Sequence, residues 1–276
     1  MMKGINKVLE SKEVEMKTFF MDSKQKSSEI EIAESVQKSL AEIEEFKPDL
    51  LLVSDDNAVK YIIQPYFNNK NIPVVFCGVN WSAEQYELGK NVTGMLEVLP
   101  LQELLKTVVS NYPDSKNLVV LSENSLSEQN NKTILDTLYR NLGLEPTYML
   151  ADNFEEWKKM FAEANRSADI IYMPTNGAIK GWDDAKAKKI TEESLQIPAI
   201  TCDDFMMPYV VFGLTKVASE QGEWAANRAL EILGGKKAEE IPYAKNIQSK
   251  AWLNTKLANR IDFKLSEKTK LECTQL

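Results

Sequence analysis

The chain contains no histidine among its 276 residues. This removes Ser-His-Asp and Cys-His nucleophilic catalysis, histidine-bound metals and the usual proton shuttle at neutral pH. Carboxylate, lysine and cofactor chemistry stay open. Cysteine is scarce. Cys77, Cys202 and Cys273 are an odd number, with no Cys-x-x-Cys pair and no zinc spacing. Cys77 and Cys202 end short apolar runs and read as small buried hydrophobes, and three cysteines set no redox compartment. No apolar run approaches the roughly 18 residues that a membrane helix needs, so no direct membrane insertion is expected. There is no basic patch: the net charge is −8 and the lysines and arginines alternate with glutamates, which speaks against nucleic acid as a partner. A signal peptide is also missing. Met1 to Glu10 are too polar for one and read as the middle of an amphipathic helix, with Ile5, Val8 and Leu9 on one face. A chain that opens this way reads as one from which a preceding segment is absent.

What the chain does have is one pattern written twice. The first copy runs Lys47-Pro-Asp-Leu-Leu-Leu-Val-Ser-Asp-Asp-Asn57-Ala-Val-Lys60 and continues at Asn71-Ile-Pro-Val-Val-Phe-Cys-Gly-Val-Asn-Trp81. The second runs Ser167-Ala-Asp-Ile-Ile-Tyr-Met-Pro-Thr-Asn176-Gly-Ala-Ile-Lys180 and continues at Gln196-Ile-Pro-Ala-Ile-Thr-Cys-Asp-Asp-Phe205. Each copy holds an Asp, a short apolar run, a polar cluster with Asn, a helical stretch, an Ile-Pro pair and a second short strand. The apolar content of 43% with 27% charged residues is that of a globular protein. The length allows one large or two ordinary domains, and the repeat favours two similar α/β lobes.

Periodicity fills in the remaining elements. Helices are predicted over residues 2–11, 27–45, 58–67, 101–111, 127–142, 154–165, 183–195 and 219–233. Ser28 and Glu31 have capping-box spacing, and Gly143 marks a helix stop. Strands or extended stretches are predicted over residues 14–21, 50–53, 73–77, 91–98, 117–121, 146–150, 169–173, 199–202, 210–214 and 250–254. The alternation of strand and helix predicts parallel sheets with right-handed crossovers.

In open α/β sheets ligands sit beyond the carboxyl ends of the strands. Those ends carry Ser54, Asp55, Asp56, Asn57, Asn80 and Trp81 in one lobe, and Thr175, Asn176, Trp182, Asp203, Asp204 and Phe205 in the other. Ser122, Glu123 and Asn124 end the first strand of the second lobe. Two such edges facing each other would form a polar cleft with aromatic walls. Each candidate has a plainer alternative. Asp55, Asp56 and Asn57 suit a helix N-cap, although a helix N-terminus after a strand also receives anions. Ser54 and Asn57 are the first lobe's candidates for a ligand carboxylate, and Asp203 and Asp204 are the second lobe's for an ammonium group. Asn176-Gly177 suits a turn. Trp81, Trp182 and Phe205 are either packing residues or aromatic walls for a planar or cationic ligand. Met206, Met207 and Pro208 read as packing, with a flexible wall as the alternative. Trp157 and Trp252 look structural.

Five segments together resemble one known family. They are Phe46-Lys-Pro-Asp-Leu-Leu-Leu-Val-Ser-Asp-Asp-Asn-Ala58, then Ile72-Pro-Val-Val-Phe-Cys-Gly-Val-Asn-Trp81 followed by Asn91-Val-Thr-Gly-Met95, then Ile179-Lys-Gly-Trp-Asp-Asp184, and Asp204-Phe-Met-Met-Pro-Tyr209 leading into Gly213-Leu-Thr-Lys-Val-Ala-Ser-Glu-Gln-Gly-Glu-Trp224. From about residue 5 to about residue 265 the chain resembles the ABC-transporter substrate-binding proteins related to tryptophan- and tyrosine-binding proteins. The resemblance implies a type 1 periplasmic-binding fold of two Rossmann-like lobes with parallel sheets. It places residues 1–96 and about 212–240 in the N-terminal lobe, and residues 97–211 and about 241–276 in the C-terminal lobe. It also implies a secretion signal and a central first strand ahead of the first helix, so the first lobe is expected to lack its first strand. The ligand would lie between the lobes, with hinge closure around it.

The function implied is that of a monomeric, non-enzymatic solute-binding protein without a cofactor. It would capture a small polar or amino-acid-like molecule, aromatic in one version, and deliver it to an ABC permease. Its expected place is extracytoplasmic, in the periplasm or as a cell-surface lipoprotein. The alternative is an extracytoplasmic sensing domain working with a sensor kinase or receptor. A third reading, an enzyme using Asp55/Asp56 or Asp203/Asp204 with a divalent metal, has no general base and no phosphate-binding loop behind it.

Overall fold

The structure, a computed structural model, describes residues 1–23, 26 and 28–276. The chain divides into two compact units, Met1–Val98 with Val217–Gln248, and Leu99–Lys216 with Ser249–Leu276.

The first unit opens with helix α1 (Met2–Leu9) and helix α2 (Glu29–Phe46). Ser28 caps α2, and its side chain and that of Glu31 satisfy each other's backbone N–H groups. The helix start expected at Ser27 lies outside the described residues. Strand β1 (Leu51–Ser54) follows, then a single helical turn α3 (Asp56–Ala58) that runs on as a π-helix, Val59–Phe67. Pro65 lies inside that segment and has no N–H to give to an α-helical ladder. The wider pattern ends where Asn68 N donates to Ile63 O at 2.8 Å. Strands β2 (Val74–Asn80) and β3 (Val92–Glu97) complete this stretch.

In the second unit come α4 (Leu101–Asn111), β4 (Asn117–Glu123), α5 (Leu126–Asn141), β5 (Glu145–Ala151), α6 (Phe154–Ser167), β6 (Ile170–Tyr172), α7 (Asp184–Ser194), β7 (Ala199–Thr201) and β8 (Phe212–Lys216). The chain then gives the first unit α8 (Ala218–Leu233) and β9 (Ala244–Lys245). It closes in the second with β10 (Ser249–Leu253), α9 (Thr255–Arg260), α10 (Glu267–Glu272) and β11 (Thr274–Gln275).

The first sheet has the order β1-β2-β3-β9, parallel throughout. Its strand Val74-Val-Phe-Cys77 reads as an unbroken apolar run because both faces are covered. Val74 and Phe76 join one core cluster with Val36, Val59, Ile62 and Tyr86, while Val75 and Cys77 point the other way into Ala225, Ala229 and Ile232 of α8. The second sheet has the order β11-β10-β8-β7-β6-β4-β5. Its five strands β5-β4-β6-β7-β8 are parallel and follow the doubly wound pattern in which the order reverses between β4 and β6.

Three expectations change. Residues 14–21, expected as a strand, carry no strand. Alternation alone does not make a strand without a neighbour to complete its hydrogen bonds, and among the described residues no strand lies beyond β1 on the sheet edge. Met16, Phe19 and Phe20 are left exposed. Second, Phe212–Lys216 belongs to the second unit, because β8 pairs with β7 and β10. Residues 241–248 belong to the first, where Ile241 O accepts from Thr93 Oγ1 at 2.7 Å and β9 pairs with β3. Third, β10 runs antiparallel to β8. The segment linking them packs in the first unit, so no crossover helix on the second sheet forces a parallel return.

Candidate functional site

The carboxyl ends of β1 and β2 in the first unit are organised by Asp56. Its Oδ2 accepts from Asn80 N at 3.2 Å and from Asn80 Nδ2 at 2.6 Å, and its Oδ1 accepts from Tyr86 OH at 2.7 Å. Two of the expected residues, Asp56 and Asn80, are therefore brought together, with the carboxylate facing protein donors. Burial, and then the neighbouring carboxylate, push the Tyr86 phenol well above its ordinary range. Asp55 sits at φ 80° and caps the following turn by accepting from Asp56 N at 2.8 Å. Ser54 is exposed and donates to the Met1 sulfur at 3.2 Å. Asn57 donates through Nδ2 to Ser23 Oγ at 2.9 Å.

Trp81 follows directly. It is half-buried, holds a left-handed φ of 61°, and donates its N–H to Glu97 O at 2.9 Å. Bulky side chains seldom adopt this conformation, and such positions cluster at functional sites. Upstream, β2 shifts register against β3 between Cys77 and Val79, around Gly78 at φ 75°. Burial raises the Cys77 thiol to about 11, which suits an unreactive core residue.

In the second unit the corresponding centre is Glu123, at the reversal between β4 and β6. Its side chain is fully buried, and Oε2 accepts from Ala178 N at 2.7 Å and Thr175 Oγ1 at 3.3 Å. Ser122 is equally buried and donates to Thr175 O at 3.4 Å. Ser122 and Thr175 are thus together, with Ser122 bracing the loop from inside. Asn176 is half-buried and its carbonyl receives Ile179 N at 3.1 Å, so it is the first residue of a turn, a position that Asn favours. Asn124 is exposed and bridges Asp152 and Gln129 at 2.9 Å each.

The other candidates stand apart from that centre. Trp182 makes edge-on contacts with Phe154, Trp157 and Tyr209, and its indole N–H donates to Asp184 at 2.9 Å. Tyr209 OH donates to the same carboxylate, and burial followed by that bond pushes its phenol up to about 12. This ring cluster accounts for Trp182 by packing. Asp203 is paired with Lys216 at 3.0 Å. Asp204 is exposed at the start of a 3-10 turn, Asp204–Tyr209, and Phe205 is 51% exposed beside it. Met206 and Met207 are buried, as packing residues are.

Sequence reading missed Tyr86, Glu97, Gln221 and Lys216. Gln221 left a signal: it lies four residues before Ala225 on the stripe that α8 buries, and a polar side chain on such a stripe needs a polar partner. Among the described residues no group of three acidic, cysteine or histidine side chains is placed to hold a metal. No helix among them is long and apolar enough to cross a membrane.

Two α/β units with mainly parallel sheets and three chain crossings define a type 1 periplasmic-binding fold. Solved structures agree. A conserved domain protein from Vibrio cholerae O1 biovar El Tor superposes with a TM-score of 0.76 at 15% identity, covering 99% of this chain and 93% of that one. An ABC domain from Streptococcus pneumonia in complex with L-Trp gives 0.71 at 18% identity, with coverage of 99% and 93%. The ligand-free, open structure of a substrate-binding protein with adhesive properties from Clostridium difficile gives 0.68 at 15% identity, with coverage of 100% and 93%. At these identities the likeness is one of fold. No curated protein matches the chain. The family itself is decided by the sequence: the chain belongs to the ABC transporter substrate binding proteins, whose family model matches residues 1–276. Members of this family are binding proteins rather than enzymes. They take a small-molecule ligand, work with an ABC permease and are typically extracytoplasmic.

Proposed function

We propose that this protein binds an amino-acid-like ligand with an aromatic side chain, outside the cytoplasm, and presents it to an ABC permease as a monomer. The observation that carries the ligand class is Trp81. It is a large aromatic residue held at left-handed φ on the strand-end face where this fold takes ligands. Two further observations support it. Phe205 offers a second aromatic side chain, more than half exposed, on the strand-end face of its own unit. A fold relative from Streptococcus pneumonia is described in complex with L-Trp.

In this reading Phe205 is the second unit's own aromatic candidate, and the first unit offers Trp81 to the ligand's apolar part. Ser54 and Asn57 take its carboxylate near the amino end of the helical segment after β1. Thr175, Asn176 and the exposed Asp204 complete the polar recognition, Asp204 by receiving an ammonium group. Asp56, Asn80, Ser122, Asn124 and Glu123 hold the loops that carry these groups, and Trp182 supports the second unit from its ring cluster.

Titration calorimetry with L-tryptophan and L-tyrosine tests this. The wild-type chain should bind at least one of them, and Trp81→Ala should weaken that binding at least about tenfold, a loss of about 1.4 kcal/mol. Unchanged affinity in Trp81→Ala rejects the role of Trp81. No binding of either amino acid rejects the ligand class.

A further inference from the structure

One side chain joins the ends of β2 and β3 while belonging to neither. Gln221 of α8 is fully buried. Its Oε1 accepts from Gly78 N at 2.7 Å, and its Nε2 donates to Glu97 Oε2 at 2.8 Å. Gly78 is the residue around which β2 slips register, and Glu97 is the last residue of β3. Trp81 hangs on the same carboxyl end, because its N–H donates to the Glu97 carbonyl at 2.9 Å. Gln221 thus holds the residue three positions before Trp81 and the residue that Trp81's backbone holds.

α8 is itself fixed in place. A Cβ on Gly222 would lie 2.1 Å from Met1 O, and one on Gly4 would lie 2.1 Å from Ser219 O. The backbones of α1 and α8 are therefore in direct contact, and α8 cannot slide without breaking it. On the far side of the loop, Asp56 holds Asn80 by two bonds. The left-handed Trp81 sits between these two clamps, and such a conformation persists only where its surroundings over-determine it.

We propose that Gln221 is a positioning residue for Trp81, setting the direction of the indole through Gly78 and Glu97. Its bearing on ligand affinity rests on the reading that Trp81 contacts the ligand. An amide fits the task because it carries an acceptor for the Gly78 N–H and a donor for the carboxylate on one rigid group. Methionine at this position keeps the length and much of the volume but withdraws both bonds.

Fluorine NMR of protein labelled with 5-fluorotryptophan tests this without any ligand. The Trp81 line is assigned from Trp81→Phe. In Gln221→Met that line should move or split, while the lines of Trp157, Trp182 and Trp252 in the other unit hold their positions. A Trp81 line that stays in place overturns the proposal. Gln221→Glu provides a second measurement should the methionine variant fold poorly. Its protonated form restores both a donor and an acceptor, so acidification should bring the Trp81 line back toward the wild-type position, and a line that ignores the titration again overturns the proposal. With an aromatic amino acid bound, Gln221→Met should cost about tenfold in affinity alone and less than about twofold in a Trp81→Ala background, the non-additivity of residues acting as one unit. Additive losses contradict positioning through Trp81. If the wild-type chain binds no aromatic amino acid, the functional reading fails, while the fluorine lines still decide the role of Gln221.

Discussion

Replacing Asp56 with alanine should damage the first unit more than any other exchange at its strand ends. The carboxylate receives Asn80 N, Asn80 Nδ2 and Tyr86 OH, the last two at 2.6 and 2.7 Å. Hydrogen bonds to a charged group contribute about 1.5–3 kcal/mol each. They share one acceptor group here, and the half-buried Asn80 donors regain water once released, so each contributes about 1 kcal/mol, below the range for a separate charged bond. The total is about 3 kcal/mol rather than the sum of three separate maxima. For a chain of this size that lowers the melting midpoint by roughly 6–12 °C. Tyr86→Phe removes one of the three bonds and should cost about 1 kcal/mol. The phenol adds a pH signature. Its folded-state pKa is raised, by burial first and by Asp56 second. The stability it contributes is therefore complete below the unfolded tyrosine pKa of about 10 and is lost as pH rises toward the folded value. Thermal melts of wild type, Asp56→Ala and Tyr86→Phe from pH 7 to 11 measure all of this. An Asp56→Ala midpoint within about 2 °C of wild type, or an alkaline loss in Tyr86→Phe as large as that of wild type, would refute the reasoning.

Other consequences are local. Asp169 Oδ2 receives Lys116 N and Asn117 N, both at 2.8 Å, and these bonds hold its carboxyl below the usual range. Its stabilisation is present above the unfolded pKa of about 3.9 and fades as pH falls through the folded value, so urea melts of Asp169→Ala should show a loss of about 2 kcal/mol at pH 7 that shrinks by pH 3. A Cβ on Gly94 would meet the Phe76 ring at 2.3 Å, so Gly94→Ala should destabilise by about 1–3 kcal/mol in the same melts. Cys77 and Cys202 are fully buried, and burial raises both thiols, so neither should react with iodoacetamide at pH 8 until the chain is unfolded, as mass spectrometry of the labelled peptides would show.

The elements that were legible are those whose reason is local. The apolar runs at Leu51–Ser54 and Val74–Asn80, the capping box at Ser28, and the helix stop at Gly143, which has φ 77°, all declare themselves within a few residues. The repeat pointed to two α/β lobes, and the chain divides into two such units, with one sheet parallel throughout and the other parallel over five strands. It did not make the repeated aspartates equivalent: Asp169 pins the start of β4, while Asp49 is exposed. What was not legible depends on distant partners. Residues 14–21 alternate like a strand and have no ladder. The π geometry of Val59–Phe67 is not announced by a helical period that reads the same for α and π turns. Gln221 acts on Gly78, 143 residues away, and no spacing announces that pair. The candidate list went to strand ends, and period alone could not tell the side chains facing outward, such as Phe205, from those locked inside, such as Ser122 and Glu123.

The central claim, that the chain recognises an aromatic amino-acid-like molecule, is met most directly by a thermal-shift screen of the purified protein against the twenty amino acids, nucleosides, sugars and short peptides. A ligand at about 100 times its dissociation constant adds roughly 2.7 kcal/mol to stability, which raises the midpoint by roughly 5–10 °C here. The account predicts such a rise with L-tryptophan, L-tyrosine or a close relative and none with sugars or nucleosides. A rise confined to sugars or nucleosides, or a cooperative melt that no amino acid moves, would contradict it.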